Sequence, residues 1–402
     1  MSVTALMFAC SLKQVPPRRG PFAFHYEASL SEEGLAWYSH FDLLVTHDPL
    51  PRDQVDRLHA AGTRLLLYEW SVAFYESRAT DWQRSLLSHR DVDLLNQAPL
   101  TGGVGSSTAG AWYFDPASPE HAMDRAADIA RRIKDNGYDG VFLDTTTVES
   151  VHPEARKEYE RRHPDISYDV AFSRFLADLR KKLPNGILFT NQGYRSAEHY
   201  LPYADWDLTE SLITAPGNGS YHLRPWNDSA DPWNSILFIL ERMIEPIAGR
   251  YPNVRFGYLN YLDAPNAGTV RLVVAVSRLF NAAGYVAAPA IVDEVDPIYF
   301  LDLGKPLSPR VDREDGKAAY RFFAHGLIVV TAASEEITIE NRSHRALRDH
   351  ISGQLICGNV ITIPAVDDNA PRAYFFVTER AVACTAIRSG TSGMPRARSM
   401  GR

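Results

Sequence analysis

Eight short apolar runs alternate with helical patterns between about residues 20 and 290, and this alternation limits the possible folds more than any other feature. Strands that alternate with helices predict βαβ units and a parallel sheet. Eight units in about 270 residues match a (β/α)8 TIM barrel better than an open doubly wound sheet. The predicted strands span residues 22–27, 41–47, 64–70, 139–144, 186–192, 205–210, 255–261 and 284–288.

The helix before the fourth strand has a complete set of sequence signals. Ser118 can cap the free N–H groups, Pro119 fits the first turn, and Gly137 ends the helix. A dinucleotide-binding fold would need a glycine fingerprint between an early strand and its helix. The nearest candidate, at 101–105, lies inside a polar insertion at 71–116 instead. Within that insertion, residues 102–110 are rich in Gly, Ser and Thr, and two interpretations stay open: a lid over a site, or an inert surface loop.

After Pro289 the helical periodicity ends and strand-like runs follow at short intervals. These runs, at 320–323, 327–331, 336–340, 360–363 and 374–378, predict a small antiparallel β domain. The last residues are rich in Gly, Ser and Arg, which predicts a disordered basic tail. We therefore expect a barrel domain over 1–290, a β domain over 291–384 and a tail over 385–402.

Composition excludes several classes of protein. The net charge of -7 and the pI near 6.0 argue against nucleic-acid binding, which needs a basic surface. Three widely spaced cysteines suggest neither a disulfide framework nor a zinc cluster, and we interpret them as small apolar fillers. No apolar run is long enough to span a bilayer. The apolar start at 1–10 is either a first strand or the remainder of an export signal, so the sequence leaves a cytoplasmic and a secreted or periplasmic location open, together with the oligomeric state.

Two carboxylates stand where predicted strands end. Asp144 ends the fourth strand and Glu210 ends the sixth. Because the loops after the strands of a TIM barrel hold its chemistry, both positions favour a catalytic role over a structural one. Glycosidic bond cleavage needs one carboxylic acid to protonate the leaving oxygen and one carboxylate to attack or to activate water. The sequence therefore predicts Asp144 and Glu210 as the catalytic pair. Position alone leaves open which of them is the acid, and we expect Glu210 as the acid and Asp144 as the nucleophile or base.

Other polar and aromatic residues near strand ends predict a sugar-binding site, since amides and phenols bond sugar hydroxyls and aromatic faces pack on sugar rings. We expect Asp207 to be the main rival for either carboxylate role. The predicted substrate-binding residues are Tyr26, Tyr68, Glu69, Asn191, Gln192, Asp207, Tyr258, Asn260 and Tyr261. Acidic residues outnumber lysines near the strand ends, which predicts an electronegative groove for neutral or cationic sugars. Those counted are Asp42, Asp48, Glu69, Asp144, Glu149, Asp207, Glu210 and Asp263.

Other chemistries lack their sequence signals. The early histidines are too scattered for a metal-dependent hydrolase, no Gly-x-Ser-x-Gly elbow is present, and no phosphate-binding loop is found. We expect no metal and no cofactor.

The motifs Gly-Tyr-Asp-Gly-Val-Phe-Leu-Asp at 137–144, Thr-Asn-Gln-Gly at 190–193 and Thr-Glu-Ser at 209–211 resemble the barrels of the endo-α-1,4-polygalactosaminidases and related glycosyl-hydrolase-like proteins. The segments 302–306 and 321–330 resemble the β domain that follows some of those barrels. The resemblance implies a catalytic Asp on the fourth strand and a catalytic Glu on the sixth, which are Asp144 and Glu210 here.

We therefore predict a glycoside hydrolase that cleaves a polysaccharide, with an amino-sugar polymer as a candidate. The alternative from another class is a non-catalytic polysaccharide-binding or exopolysaccharide-assembly protein on the same barrel, because binding needs the same aromatic and amide groups.

Overall fold

The computed structural model describes residues 19–71, 73–75, 79–80, 83–84, 94–95, 111–144, 146–264, 266–287, 297–343, 345–366 and 370–379. The apolar start at 1–10, the Gly-rich stretch at 102–110, the domain boundary at 290 and the tail at 385–402 lie outside these residues. The expectations for them stay predictions.

Eight parallel strands form the barrel, and each pairs with the next strand in order around it. They are β1 (Ala23–His25), β2 (Leu43–Thr46), β3 (Arg64–Trp70), β4 (Gly140–Asp144), β5 (Ile187–Asn191), β6 (Trp206–Glu210), β7 (Arg255–Tyr261) and β8 (Ala283–Ala287). β1 lies against β8, so the sheet curls back on itself. The predicted (β/α)8 fold and all eight predicted strands are confirmed.

Helices connect the strands, as the alternation predicts. The α-helices span Glu32–Tyr38, Arg52–Ala60, Pro119–Asn136, Pro153–Arg162, Tyr168–Lys182, Ala197–Tyr200, Ile236–Ile239, Glu245–Arg250 and Ala267–Leu279, with one π-helical turn at Leu240–Ile244. The Ser118 side chain accepts a hydrogen bond from the His121 N–H, and Gly137 ends the same helix at φ 70°. A left-handed residue at this position suits glycine, because a Cβ would strain the backbone.

Aromatic side chains fill the barrel interior and show which strand residues point inward. Phe142 of β4 packs edge-on against Phe189 of β5 at a ring distance of 5.3 Å, and Phe189 lies 5.4 Å from Trp206 of β6. Alternate residues of a strand share a face. Asp144 follows Phe142 by two residues, Asn191 follows Phe189 by two, and Glu210 follows Trp206 by four. These three side chains therefore point into the mouth of the barrel.

Smaller β elements surround the mouth. A short antiparallel sheet joins Ala73–Tyr75, Leu94–Leu95 and Ala111–Phe114, and a hairpin joins Thr214–Gly217 to Ser220–Leu223. The hairpin turns through Asn218 and Gly219, with φ of 50° and 81°. It was not among the predicted strands.

An antiparallel β domain follows the barrel, as predicted. Its main sheet contains, in spatial order, Val311–Asp312, Ala318–Phe323, Gly326–Thr331, Arg372–Thr378, Leu347–Asp349 and Leu355–Ile356; a second pair joins Ile337–Glu340 to Val360–Ile363. Arg310 connects the domain to the barrel: its guanidinium bonds Glu241 and Glu245 at 2.9 Å each and lies 3.8 Å from the centre of the Phe280 ring.

Cys357 of this domain is disulfide-bonded. The interpretation of the cysteines as small apolar fillers is therefore wrong for this residue. No helix in the described ranges is long and apolar enough to cross a membrane.

Candidate active site

Three neighbouring strands place polar side chains in the mouth of the barrel. Asp144 ends β4, Asn191 ends β5 and Glu210 ends β6, and the strands are adjacent in the sheet. All three side chains continue the inward face that the aromatic core occupies below them. The two predicted catalytic carboxylates thus stand on either side of one amide.

Asp144 is held at both carboxylate oxygens. The Tyr68 hydroxyl donates a short hydrogen bond to Oδ2, and the Asn191 amide donates to Oδ1 at 2.8 Å. The Trp70 indole N–H in turn donates to the Tyr68 hydroxyl at 3.0 Å. Burial and the charge of Asp144 raise the pKa of Tyr68 above its ordinary value, so the phenol stays a donor. These contacts fix the orientation of Asp144 and keep it in the role of an acceptor.

The surroundings of Glu210 favour its protonated form. Burial, followed by the negative charge of Asp144, raises its pKa to about 7, while hydrogen bonds from Tyr261 and Asn191 act in the lowering direction. The Tyr261 hydroxyl lies 3.1 Å from Glu210 Oε1 and 3.1 Å from the Tyr26 hydroxyl. A carboxyl group with a pKa near neutral can hold a proton and release it to a substrate.

Of the predicted substrate-binding residues, the mouth therefore brings together Tyr26, Tyr68, Asn191 and Tyr261 with the two carboxylates. Glu69, Asp207, Tyr258 and Asn260 face away from it.

Glu69 points outward from β3, although the sequence predicts it as a substrate-binding residue. It is 4% exposed and pairs with Arg125 at 3.1 Å and with Arg132, both on the helix Pro119–Asn136. Tyr68 and Glu69 are consecutive in a strand, so they must face opposite sides of the sheet. The prediction for Glu69 is corrected: its ion pairs connect β3 to the helix Pro119–Asn136.

Asp207 also faces the helices rather than the mouth. Its carboxylate is fully buried and accepts hydrogen bonds from the Thr190 hydroxyl at 2.7 Å and from the Gly193 and Tyr194 N–H groups at 2.7 and 2.9 Å. Burial raises its pKa to about 7, against the lowering effect of those bonds. Asp207 therefore positions the loop after β5, and its predicted roles as substrate ligand and as catalytic rival are corrected.

Tyr258 and Asn260 share this outward side of β7. Tyr258 is 1% exposed, and Asn260 is fully buried, with its Oδ1 accepting from the Ile213 and Thr214 N–H groups at 2.7 and 3.1 Å. Both predictions of substrate contact are corrected, because neither side chain reaches the mouth. Asn260 positions the base of the hairpin instead.

Gln192 occupies a left-handed turn at φ 57° directly after β5, where its N–H bonds the Leu208 carbonyl at 2.7 Å, so its backbone shapes the loop. Its role as a substrate ligand stays a prediction. The expectation for Asp42 changes. Asp42 pairs with Arg19 at 3.0 Å just before β2, at the barrel end opposite the mouth. Asp42, Glu69 and Asp207 therefore add no acidic side chain to the groove.

Two aromatic neighbours of the site were not among its predicted residues. The His47 ring lies 4.7 Å from the Tyr68 ring, and the Tyr221 ring lies 5.5 Å from the Tyr261 ring. The signal for Tyr221 was the Asn218-Gly219 pair, because Asn-Gly favours the tight turn of a hairpin. Within the described ranges, no group of three or more His, Cys, Asp or Glu side chains is arranged to hold a metal ion.

Known structures share this fold. The glycoside hydrolase domain of PelA from Pseudomonas aeruginosa is 22% identical, with a TM-score of 0.50, over 68% of this chain and 96% of that one. Two α-amylases align over 90% of this chain and 99% of theirs: the Anoxybacillus enzyme at 10% identity and TM-score 0.52, and the Geobacillus thermoleovorans enzyme at 11% and 0.50. No family model matches the chain, and no curated protein matches it. The chain thus shares the TIM-barrel fold of these glycoside hydrolases.

Proposed function

We propose that the protein is a glycoside hydrolase whose catalytic pair is Asp144 and Glu210. The observation that carries the proposal is the unequal environment of the two carboxylates. Asp144 is held as an acceptor by Tyr68 and Asn191, whereas burial and the charge of Asp144 raise the pKa of Glu210 to about 7. Two carboxyl groups whose environments differ in this way suit one acid and one nucleophile or base.

In the proposed reaction Glu210 gives its proton to the glycosidic oxygen while the bond from that oxygen to the anomeric carbon breaks. Asp144 either attacks the anomeric carbon directly or takes a proton from a water molecule that attacks it. In the first case Glu210 then deprotonates the water that releases the sugar from Asp144. The configuration of the first-formed product, followed by NMR, distinguishes these two courses.

The substrate we propose is a carbohydrate polymer. Tyr26, Tyr68 and Tyr261 offer aromatic faces and hydroxyl groups beside the pair, and these are the groups that sugar rings and their hydroxyls contact. The family resemblance makes an amino-sugar polymer the first candidate. A cationic sugar also suits a mouth that contains both Asp144 and Glu210.

A screen for reducing ends released from a panel of polysaccharides tests the function. We expect one polymer to be cleaved by the wild-type protein, and D144N and E210Q each to lose at least about 100-fold in turnover, because general acids and nucleophiles contribute factors of this size. D135N, which alters an exposed carboxylate on the helix Pro119–Asn136, serves as the matched control and should keep full activity.

An activated substrate whose leaving group needs no proton separates the two roles. E210Q should recover activity on it and D144N should not. Wild-type rates in both variants on the natural polymer would exclude this site. Binding of a polymer without release of reducing ends would instead favour the polysaccharide-binding alternative.

A further inference from the structure

The hairpin Thr214–Gly217/Ser220–Leu223 begins four residues after Glu210, so it rises beside the proposed acid. Its second strand holds Tyr221, which no motif or resemblance assigns to the site. The Tyr221 ring is half-buried, lies 5.5 Å from the Tyr261 ring and is tilted by 30° from it. The two rings therefore stand side by side on the Glu210 side of the mouth.

The hairpin is anchored to the segment that follows β7. Thr214 exchanges two hydrogen bonds with the Tyr261 backbone, at 3.0 and 3.2 Å, in addition to the bond from its N–H to Asn260. At the far strand, Asp263 Oδ2 accepts from the Tyr221 N–H at 2.8 Å. These bonds hold both ends of the hairpin, so the position of Tyr221 is set by the barrel and not by a free loop.

Tyr221 also interacts electrostatically with the proposed acid, Glu210. Burial, then the charges of Glu210 and Asp263, raise the pKa of its hydroxyl, which places the ring within electrostatic reach of Glu210. Tyr26 extends the same group of phenols, since its hydroxyl bonds that of Tyr261 at 3.1 Å and its side chain is 43% exposed. Tyr26, Tyr261 and Tyr221 form what we call the tyrosine wall.

Tyr221 has the surface and the hydrogen-bonding capacity of a sugar platform. One side of its ring packs against Tyr261, which leaves part of the ring in contact with solvent. Its hydroxyl makes no hydrogen bond to any residue in the part of the chain that the structure describes. A phenol of this kind can stack on the C–H face of a pyranose and donate to a sugar hydroxyl.

We infer that Tyr221 is a substrate-contacting residue, on which a pyranose ring of the bound polymer packs next to Glu210. The inference rests on the proposed function, because it takes the substrate to be a carbohydrate. It assigns to the hairpin the task of carrying this platform, and to Asn260 and Asp263 the task of positioning it.

Binding measured in the D144N background tests the platform without requiring turnover. The probes are a hexasaccharide of α-1,4-linked galactosamine and maltohexaose, titrated by calorimetry. We expect at least one hexasaccharide to bind, and Y221A to weaken its Kd about tenfold, the loss expected for one aromatic contact and its buried area. Y221F and Y221W should stay within about threefold, because the ring is kept. Y374A, which removes a half-buried tyrosine from the β domain, should leave Kd unchanged.

Three outcomes would overturn the platform: Y221A binds as tightly as its parent, neither hexasaccharide binds D144N, or Y221F and Y221W lose as much affinity as Y221A together with a lowered Tm. A separate assay of the wild-type protein keeps the two proposals apart. Weakened binding in Y221A without any wild-type hydrolysis would sustain the platform and refute the hydrolase. Hydrolysis with unchanged Y221A binding would do the reverse.

Discussion

The inner and outer faces of β6 each hold a carboxyl group whose pKa is raised by burial to about 7, and only one of the two groups reaches the mouth. Glu210 faces Asp144, Asn191 and Tyr261 at the barrel mouth. Asp207 faces the backbone N–H groups of Gly193 and Tyr194 on the helix side. The raised pKa thus reflects burial in both cases and does not distinguish the two groups. Their neighbours do: Glu210 contacts the residues of the mouth, whereas Asp207 holds the loop after β5.

Strands β3 and β7 show the same difference between inward-facing and outward-facing residues. Inward-facing Tyr68 and Tyr261 bond the two carboxylates, whereas outward-facing Glu69 bonds helix arginines and Asn260 bonds the hairpin base. Outer polar residues thus support the segments that carry the mouth. We expect substitutions on the inner face to change the chemistry, and substitutions on the outer face to change stability first.

The largest expected effect contrasts E210Q with D207N. Removing a general acid lowers turnover by about 100- to 10,000-fold, so we expect E210Q to fall within this range on a natural polymer. D207N should keep activity within about tenfold when assayed below its unfolding temperature, because its carboxylate only positions a loop. Turnover per folded molecule, with folding checked by circular dichroism, measures the contrast. Equal losses in both variants would break the distinction between the faces.

The loss of unfolding free energy should be larger for a substitution of the outward-facing Asp207 than for one of the inward-facing Glu210. Both Asp207 oxygens accept hydrogen bonds, and D207A would leave the Gly193 and Tyr194 N–H groups without this acceptor. An unsatisfied buried group costs about 1–3 kcal/mol, and we expect D207A to lose at least this amount of unfolding free energy in urea titrations at pH 5, where the raised pKa of Asp207 keeps its carboxyl group neutral and no charge penalty is relieved. The exposed substitution D135N is the control and should change it by less than about 0.5 kcal/mol. A neutral effect of D207A would contradict the structural role of Asp207.

The pH dependence of stability separates E210Q from the wild type. The folded pKa of Glu210 is about 7 and its ordinary value is 4.5, so between these values the folded state binds more protons than the unfolded state. Its contribution to the unfolding free energy therefore falls as pH rises from 4.5 to 7. E210Q lacks this loss and should be more stable than the wild type by about 1–3 kcal/mol at pH 8. The difference should vanish near pH 4, and a difference independent of pH would be inconsistent with a raised Glu210 pKa.

The smallest expected effect compares two tyrosines of β7. The hydrogen bond from Tyr261 lowers the pKa of Glu210, so Y261F should raise it and move the alkaline limb of the activity profile to higher pH. Y258F removes an outward-facing hydroxyl three residues earlier and should leave that limb in place. Profiles of kcat/KM for both variants provide the measurement. A shift toward lower pH in Y261F would contradict the proposed protonation of Glu210.

Much of the fold was predictable because buried strands and helix caps are local signals. Strand β4 and its terminal Asp144 follow a capped helix, and Glu210 ends a strand of similar character, so both carboxylates could be placed before the structure was known. Strand alternation would also have separated Glu210 from Asp207, since residues an odd number apart face opposite sides. The prediction did not use this alternation and so assigned Asp207, Glu69 and Asn260 to the substrate.

Other features depend on partners that are distant in sequence. Glu69 is satisfied by Arg125 and Arg132, more than fifty residues later, and only the packed structure identifies that pairing. Tyr221 lies in a strand of four mostly polar residues, too short and too polar for a strand pattern to stand out. Its place beside Tyr261 follows from the bond of its own N–H to Asp263 and from the bonds of Ile213 and Thr214 to Asn260, on another part of the chain.

The most direct test of the paired site is a titration of Glu210 itself, by NMR of protein labelled with 13C at the glutamate carboxyl carbons, in the wild type and in D144N. Assignment by comparison with E210Q identifies the resonance. We expect Glu210 to titrate near pH 7 in the wild type and at lower pH in D144N, because the charge of Asp144 is one cause of the raised value. A parallel aspartate-labelled sample should show Asp207 unmoved by D144N. A Glu210 that titrates near 4.5, or at the same pH in both proteins, would contradict the pairing of Asp144 with Glu210.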